Sequence, residues 1–337
     1  MNILIIGAGG FIGSHLSECI LRNHRNWKIF ALDVVADKIN HLLADENFDF
    51  SKVDILASMS FVEKKLAQSD VVLPLAAIAN PSTYVQNPLA VFKLDFEANL
   101  AIVKLAVKHR KRIIFPSTSE VYGMCPDDEF DEEMSNCVTG PIQKQRWIYS
   151  ASKQLLDRVI YAHGIRDNLS YTLFRPFNFI GPRLDDIFNA SYGSSRVITQ
   201  FLSNIYHKKD INLVDGGNQM RCFIDIADGI DAIERMIENR DGCAEQRIFN
   251  VGNPSNLFSI KELAHKVVDM AKAYKKLADF AARVVIHSVD SREYYGSSYQ
   301  DISRRVPAIQ KAQKLLGWTP KIGLEESLTK IMDFYFG

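Results

Sequence analysis

The sequence predicts an α/β fold, a doubly wound parallel sheet with a smaller α/β lobe attached, and three observations carry that prediction. Short β-branched apolar runs alternate with longer stretches of helical periodicity, the pattern of strands joined by crossover helices. A glycine triplet sits between the first such run and the first helical stretch. After about residue 180 the rhythm changes to shorter strands, glycine turns such as "VDGGNQ" and isolated helices such as "SIKELAHKVVDMA".

The strands expected in order are "NILIIGA", "KIFALDV", "DVVLPLAA", "RIIFPSTS" and "SYTLFRPFN". Between them "FIGSHLSECILRN", "NPLAVFKLDFEANLAIVKLAVKHR" and "WIYSASKQLLDRVIYAHG" repeat apolar residues at three- and four-residue spacing, which predicts helices. No low-complexity linker parts the two lobes. The chain is therefore expected to cross between them more than once, with residues 222–250 returning to the first unit, 1–180, and 181–337 forming most of the second.

At 337 residues the chain can bury a sizeable core. Lys plus Arg and Asp plus Glu both total 40, so the formal net charge is zero, which argues against nucleic acid or an anionic membrane as partner. No apolar run reaches the roughly 18 residues of a membrane span, and "MNILIIGAGG" reads as a fold start and not a signal peptide, so the cytoplasm is expected. The five cysteines (Cys19, Cys125, Cys137, Cys222, Cys243) are odd in number and unpaired in spacing. They predict neither a disulfide framework nor a metal site.

Gly7, Gly10 and Gly13 follow the first strand and open the first helix. Glycines there permit a tight turn and close approach of backbone to a pyrophosphate, whose charge meets the helix dipole. Asp33 ends the second strand 20 residues after Gly13, where an acid bonds the adenosine ribose hydroxyls. These features predict a Rossmann-type dinucleotide site for NAD, since Asp33 would repel the 2′-phosphate of NADP. Phe11 and Ile12 in the turn, Asp54 and Ile55 after the third apolar stretch, and Leu75 and Ala76 after the next strand complete the expected cofactor contacts.

Tyr149 and Lys153 stand at i,i+4 on a predicted helix and share a face. An ammonium beside a phenol favours the phenolate, which can take a proton from an alcohol as hydride leaves for NAD. Together with "IIFPSTSEVYGM", in which an extended strand would point Thr118 and Glu120 to one face, the pair predicts an oxidising site. A non-catalytic NAD sensor would not need Thr118, Tyr149 and Lys153 together.

"GAGGFIGSH", "STSEVYG" and "YSASK" resemble the extended short-chain dehydrogenase/reductase family of nucleotide-sugar enzymes, and the resemblance continues through "RPFNFIGPR", "GGNQMRCFIDIADG" and "LLGWTPK". It implies that Thr118 completes a Thr-Tyr-Lys triad. Dehydratases of that family carry Asp-Glu after the triad threonine; this chain has Ser119-Glu120. That combination is similar to UDP-glucuronic acid decarboxylases, as are "VVLPLAAIA", "WIYSASKQLLDRVI", "GSSRVITQ" and "YYGSSYQD", which resemble the decarboxylase domain of the polymyxin-resistance enzyme ArnA.

The resemblance implies NAD-dependent oxidation of UDP-glucuronic acid at C4 and loss of CO2, oxidoreductase and lyase chemistry in one site. The product is UDP-4-keto-pentose, or UDP-xylose if the reduced cofactor stays and reduces the ketone. A 4-epimerase or dehydratase of the same family is the alternative. Arg305 in "SRRVPAI" is implied near C5 as proton donor or as escort of a water, with adjacent Arg304 leaving the register open, and Ser119 with Glu120 is implied on the carboxylate side. The resemblance also implies that Tyr84 lies against sugar or nicotinamide and that Asn178, Arg196, Arg221 and Tyr299 are substrate contacts; Asn212 stands where a lysine is expected. The long apolar helices at about 88–109 and 147–164 imply a homodimer through a four-helix bundle.

Overall fold

The computed structural model describes residues 1–189 and 195–337. Strand β1 (Asn2–Ile6) leads through helix α1 (Phe11–Asn23) to β2 (Lys28–Asp33) and β3 (Phe48–Lys52). Helix α2 (Met59–Ala67) precedes β4 (Val71–Pro74); α3 (Pro81–Gln86), α4 (Pro88–Phe92) and α5 (Asn99–Lys108) precede β5 (Arg112–Pro116). Helix α6 (Trp147–Asp167) connects to β6 (Tyr171–Pro176), α7 (Val197–Tyr206) lies in the second lobe, and α8 (Ile226–Glu238) leads back to β7 (Arg247–Val251).

The seven strands are parallel in the order β3-β2-β1-β4-β5-β6-β7. Strand order reverses between β1 and β4, and the carboxyl ends of the strands open a crevice there, where open α/β sheets bind ligands. Alternate residues of β1 serve two cores. Ile3 and Ile5 pack with Ile20 of α1 and Ile230 and Ile233 of α8; Leu4 and Ile6 pack with Val62 and Leu66 of α2 and Ile102 of α5. The second lobe closes a separate core of Phe201, Leu202, Leu263, Val267 and Leu328.

Three elements differ from the sequence reading. β3, "FDFSK", was not among the strands expected: it is a half-buried edge with Asp49, Ser51 and Lys52 facing outward in part, too polar for the apolar-run signal. The helix expected at about 88–109 is interrupted by a π-helical turn at Lys93–Ala98 between α4 and α5. The strand expected through Thr118 ends at Pro116; Thr118 is extended and caps a 3-10 turn at Ser119–Tyr122, its hydroxyl accepting the Glu120 N–H at 3.2 Å. Thr118 and Glu120 thus meet at a turn and not along a strand face.

The lobes are tied together beside α1. The Arg183 guanidinium pairs with Glu18 at 2.6 Å and donates to His15 Nδ1 at 3.0 Å, while His15 Nε2 donates to the Pro182 carbonyl at 3.0 Å. Those two bonds fix a neutral imidazole. Among the described residues no helix is long and apolar enough to cross a membrane.

Candidate active site

The glycine turn is built to let a ligand approach. Gly7 has φ +93°, and a Cβ on it would stand 2.6 Å from the Ala76 backbone nitrogen; one on Gly13 would stand 2.3 Å from the Gly7 carbonyl oxygen. Helix α1 begins at Gly10 with no side-chain cap and no acid in its first turn, which leaves its N-terminus for an anion. Asp33 reaches into the turn, accepting the Gly9 N–H at 2.8 Å on one oxygen and the Val34 N–H at 2.7 Å on the other. Gly9 was missed by the triplet spacing, yet a Cβ on it would fall 2.3 Å from the Val35 carbonyl oxygen.

Around this turn, Phe11 and Ile12 form the first turn of α1. The Leu75 N–H bonds Ile6 at the end of β1, and Ala76 packs in the cluster that buries Ile55. The Val53 N–H bonds the Asp33 carbonyl, which brings Asp54 and Ile55 to the same crevice edge. A cradle without room for side chains, an uncapped helix start and an acid at the second strand end fit a dinucleotide.

The reacting groups lie on α6 and the turn after β5. Tyr149 and Lys153 are both buried. Lys153 Nζ donates to the Pro116 carbonyl at 3.0 Å and lies 4.7 Å over the Phe115 ring. Burial lowers its pKa, opposed by the carboxylates of Asp95 and Asp157. Burial likewise pushes the Tyr149 phenol far above its ordinary value; a hydrogen bond from Thr118 opposes that shift. Tyr84, also buried, stacks on Tyr149 with ring centroids 4.7 Å apart.

Beside this pair, Glu120 Oε1 takes the Arg146 guanidinium at 3.2 Å and that of Arg305 at 3.3 Å; Arg305 also reaches Ser119 Oγ at 3.5 Å. Sequence reading missed Arg146. It precedes α6 by one residue, three before Tyr149, and is almost wholly buried. The register of the short strand Arg304–Arg305 against Met220 and Arg221 turns Arg305 inward and leaves Arg304 exposed, bonded to the Asp128 carbonyl. Burial, then the neighbouring Arg221, pushes Arg305 down to about 10, a stronger acid than an ordinary guanidinium and still charged at neutral pH.

The same cavity is lined by Arg221, Asn178, Asn212, Tyr299 and Arg196. Arg221 pairs with Asp301 at 2.8 Å, and Arg221 and Arg146 hold that carboxyl below its usual range against the burial that would raise it. The Arg146 guanidinium lies 5.5 Å over the Tyr299 ring. Arg196 is ion-paired with Asp185 at the cavity edge, and the Asn178 amide donates to the Cys222 carbonyl at 2.9 Å. The buried guanidiniums of Arg146, Arg221 and Arg305 thus face the two carboxylates of Glu120 and Asp301, leaving one positive charge in excess.

The model of the NAD-dependent epimerase/dehydratase family matches residues 3–252. Among solved structures, the PbgP3 protein of Burkholderia pseudomallei is 46% identical over 100% of this chain and 96% of its own, with a TM-score of 0.90. The UDP-glucose 4-epimerase of Thermotoga maritima, solved with UDP-glucose, is 21% identical over 99% and 98% at 0.81 and shares the fold. So does the dTDP-glucose 4,6-dehydratase of Bacillus anthracis, solved with NAD, at 20% identity over 99% and 96% and a TM-score of 0.79. The chain belongs to the NAD-dependent epimerase/dehydratase family, on the extended short-chain dehydrogenase/reductase fold, and NAD is its cofactor.

Proposed function

We propose that this enzyme oxidatively decarboxylates UDP-glucuronic acid. The observation that carries the reading is the Glu120 carboxylate held between the buried guanidiniums of Arg146 and Arg305 beside the Thr118–Tyr149–Lys153 group, with Ser119 where a dehydratase has its acid. A cavity with one positive charge in excess suits a sugar that carries a carboxylate of its own. Two of the neighbours on this fold were solved with UDP-sugars, which supports the nucleotide.

NAD, when bound, accepts the hydride from C4. Tyr149 takes the proton of the C4 hydroxyl, Lys153 stabilises the phenolate by its charge, and Thr118 bonds the oxygen being oxidised. The resulting β-keto acid loses CO2 as the C5–C6 bond breaks and its electron pair moves into an enolate whose oxygen faces Tyr149 and Thr118. Arg146 orients the departing carboxylate, Glu120 raises its free energy by charge repulsion, and Arg305 protonates C5 and is reloaded from solvent. Tyr84, Asn178, Arg196, Arg221 and Tyr299 hold the sugar and diphosphate.

Incubation with UDP-glucuronate and NAD, with trapping of CO2 and mass analysis of the sugar nucleotide, tests the proposal and reports whether the pentose is the 4-ketone or UDP-xylose. A product inverted at C4 or dehydrated, with no CO2, would refute it. We also propose a homodimer: α4 and α6 leave Leu89, Leu155, Tyr161 and Ile165 exposed on helices that otherwise cover the sheet, and a second copy packed across a two-fold axis would bury them.

A further inference from the structure

The π-helical turn between α4 and α5 brings in a carboxylate that the proposed steps do not use. Asp95 is completely buried. Its Oδ2 accepts the Ile78 N–H at 3.0 Å, while Oδ1 lies 4.0 Å from Lys153 Nζ and accepts no hydrogen bond among the described residues. Turns of this kind insert one residue into a helix and recur at functional sites. A buried acid with a free oxygen is costly to keep unless a charge nearby uses it.

The surroundings single out Asp95 as the anion available to Lys153. Asp157, one turn further along α6, bonds the Ser117 hydroxyl at 2.8 Å and the Arg175 guanidinium at 3.2 Å through one oxygen and so divides its charge between Arg175 and Lys153, whereas Lys153 is the one cation that acts on Asp95 among the described residues. The other groups that touch the Lys153 ammonium are neutral, the Pro116 carbonyl and the Phe115 ring, and Tyr149 stands one turn before it on α6. Facing Asp95 are Lys153 and, further off, the phenols of Tyr149 and Tyr84.

We infer that Asp95 is a positioning residue for the tyrosine–lysine pair: its carboxylate is the counter-charge that keeps the buried Lys153 ammonium protonated, and through it Tyr149 able to release its proton. The inference rests on the reading that Tyr149 and Lys153 carry the alcohol oxidation. Burial moves both members of the pair toward neutrality, Lys153 downward and Asp95 up to about 6, and each opposes that shift in the other, Asp95 ahead of Asp157 in supporting the Lys153 charge. The carboxylate also acts directly on Tyr149, against the phenolate. Loss of Asp95 therefore has two opposite effects, and their balance is what an experiment reads: if the ammonium depends on Asp95, its disappearance outweighs the relief of repulsion.

Asp95→Asn keeps an oxygen for the Ile78 N–H and removes the charge. In the NAD-loaded protein, the ultraviolet tyrosinate band is titrated in wild type, Asp95→Asn and the matching Tyr149→Phe backgrounds, so that the difference isolates Tyr149. Its ionisation is expected to move to higher pH by about one unit or more in Asp95→Asn. The acid limb of kcat follows, with kcat near neutrality down by roughly tenfold and KM changed by less than about threefold. An ionisation that is unchanged, or that moves to lower pH, overturns the inference and leaves Asp95 as an anchor for Ile78. Should Asp95→Asn not fold, Asp95→Ser carries the same expectations. The titration needs no sugar, so a shift seen in a protein that releases no CO2 from UDP-glucuronate refutes the proposed substrate and upholds the role of Asp95.

Discussion

Replacing Glu120 by glutamine separates a decarboxylase site from a mere salt-bridged corner. One oxygen of Glu120 accepts from Arg146 at 3.2 Å and from Arg305 at 3.3 Å. Each bond to an ionised partner is worth roughly 1.5–3 kcal/mol, and a neutral acceptor keeps about half of that. Glu120→Gln should therefore cost about 2–3 kcal/mol of stability, a fall in Tm of about 2–5 °C for a chain this size. It also raises the excess positive charge of the cavity from one to two, because Asp301 alone then faces the three guanidiniums. The substrate carboxylate replaces the missing anion, so UDP-glucuronate should raise the variant's Tm more than it raises that of wild type, while UDP-glucose should not. Turnover, read as CO2 released, should fall by roughly a hundredfold, the range of a removed acid–base or charge-repelling group. Turnover within about threefold of wild type, or equal thermal shifts from the two sugars, would refute the reasoning.

Gly13→Ala places a methyl 2.3 Å from the Gly7 carbonyl oxygen, so NAD binding followed by fluorescence titration should weaken by about tenfold or more; unchanged affinity would show that the turn yields. Burial first, and then Arg183, holds His15 below its ordinary 6.5, so the unfolded chain binds a proton the folded one refuses. Its contribution to stability is complete above about pH 6.5 and is lost as pH falls below that value; thermal melts across the range should show a smaller acid-side loss in His15→Gln than in wild type. Leu155→Asp together with Ile165→Asp should convert the proposed dimer to monomer in light scattering, with little change in the circular dichroism of the helices, since both side chains are exposed on α6.

What could be read from the sequence was whatever is local. β1, β4, β5 and β6 are short apolar runs closed by glycine, proline or polar residues, and α1 follows a glycine turn, so pattern and spacing located them. The Tyr149–Lys153 pair is likewise a four-residue matter. Arg146 had no such signal: its anionic partner Glu120 lies 26 positions earlier, and the second guanidinium on that carboxylate, Arg305, lies 185 positions beyond it. Asp95 was hidden for another reason. It shares the three- and four-residue spacing of the buried Val91, Ala98 and Ile102, where the period leads one to expect an apolar side chain, and its partner Lys153 stands on another helix far along the chain.

Helix α6 joins these features. Arg146, Tyr149, Lys153 and Asp157 follow one another at spacings of three and four, a polar stripe that faces inward, while Leu155, Tyr161 and Ile165 face out. The same helix buries Leu156 and Ile160 in the core with Phe115 and Leu173, so apolar residues lie on both of its sides. Each inward group is answered from another element: Arg146 by Glu120, Tyr149 by Thr118, Lys153 by the Pro116 carbonyl and Asp95, and Asp157 by Ser117 and Arg175. The outward side chains of Leu155, Tyr161 and Ile165 stay exposed among the described residues. Apolar side chains left exposed on a helix whose other side carries the chemistry are where the proposed second copy would pack. On that argument the dimer and the active site depend on one element. The monomeric Leu155→Asp, Ile165→Asp protein should then lose turnover as well as its partner, although neither substitution touches the cavity; full activity in the monomer would uncouple the two.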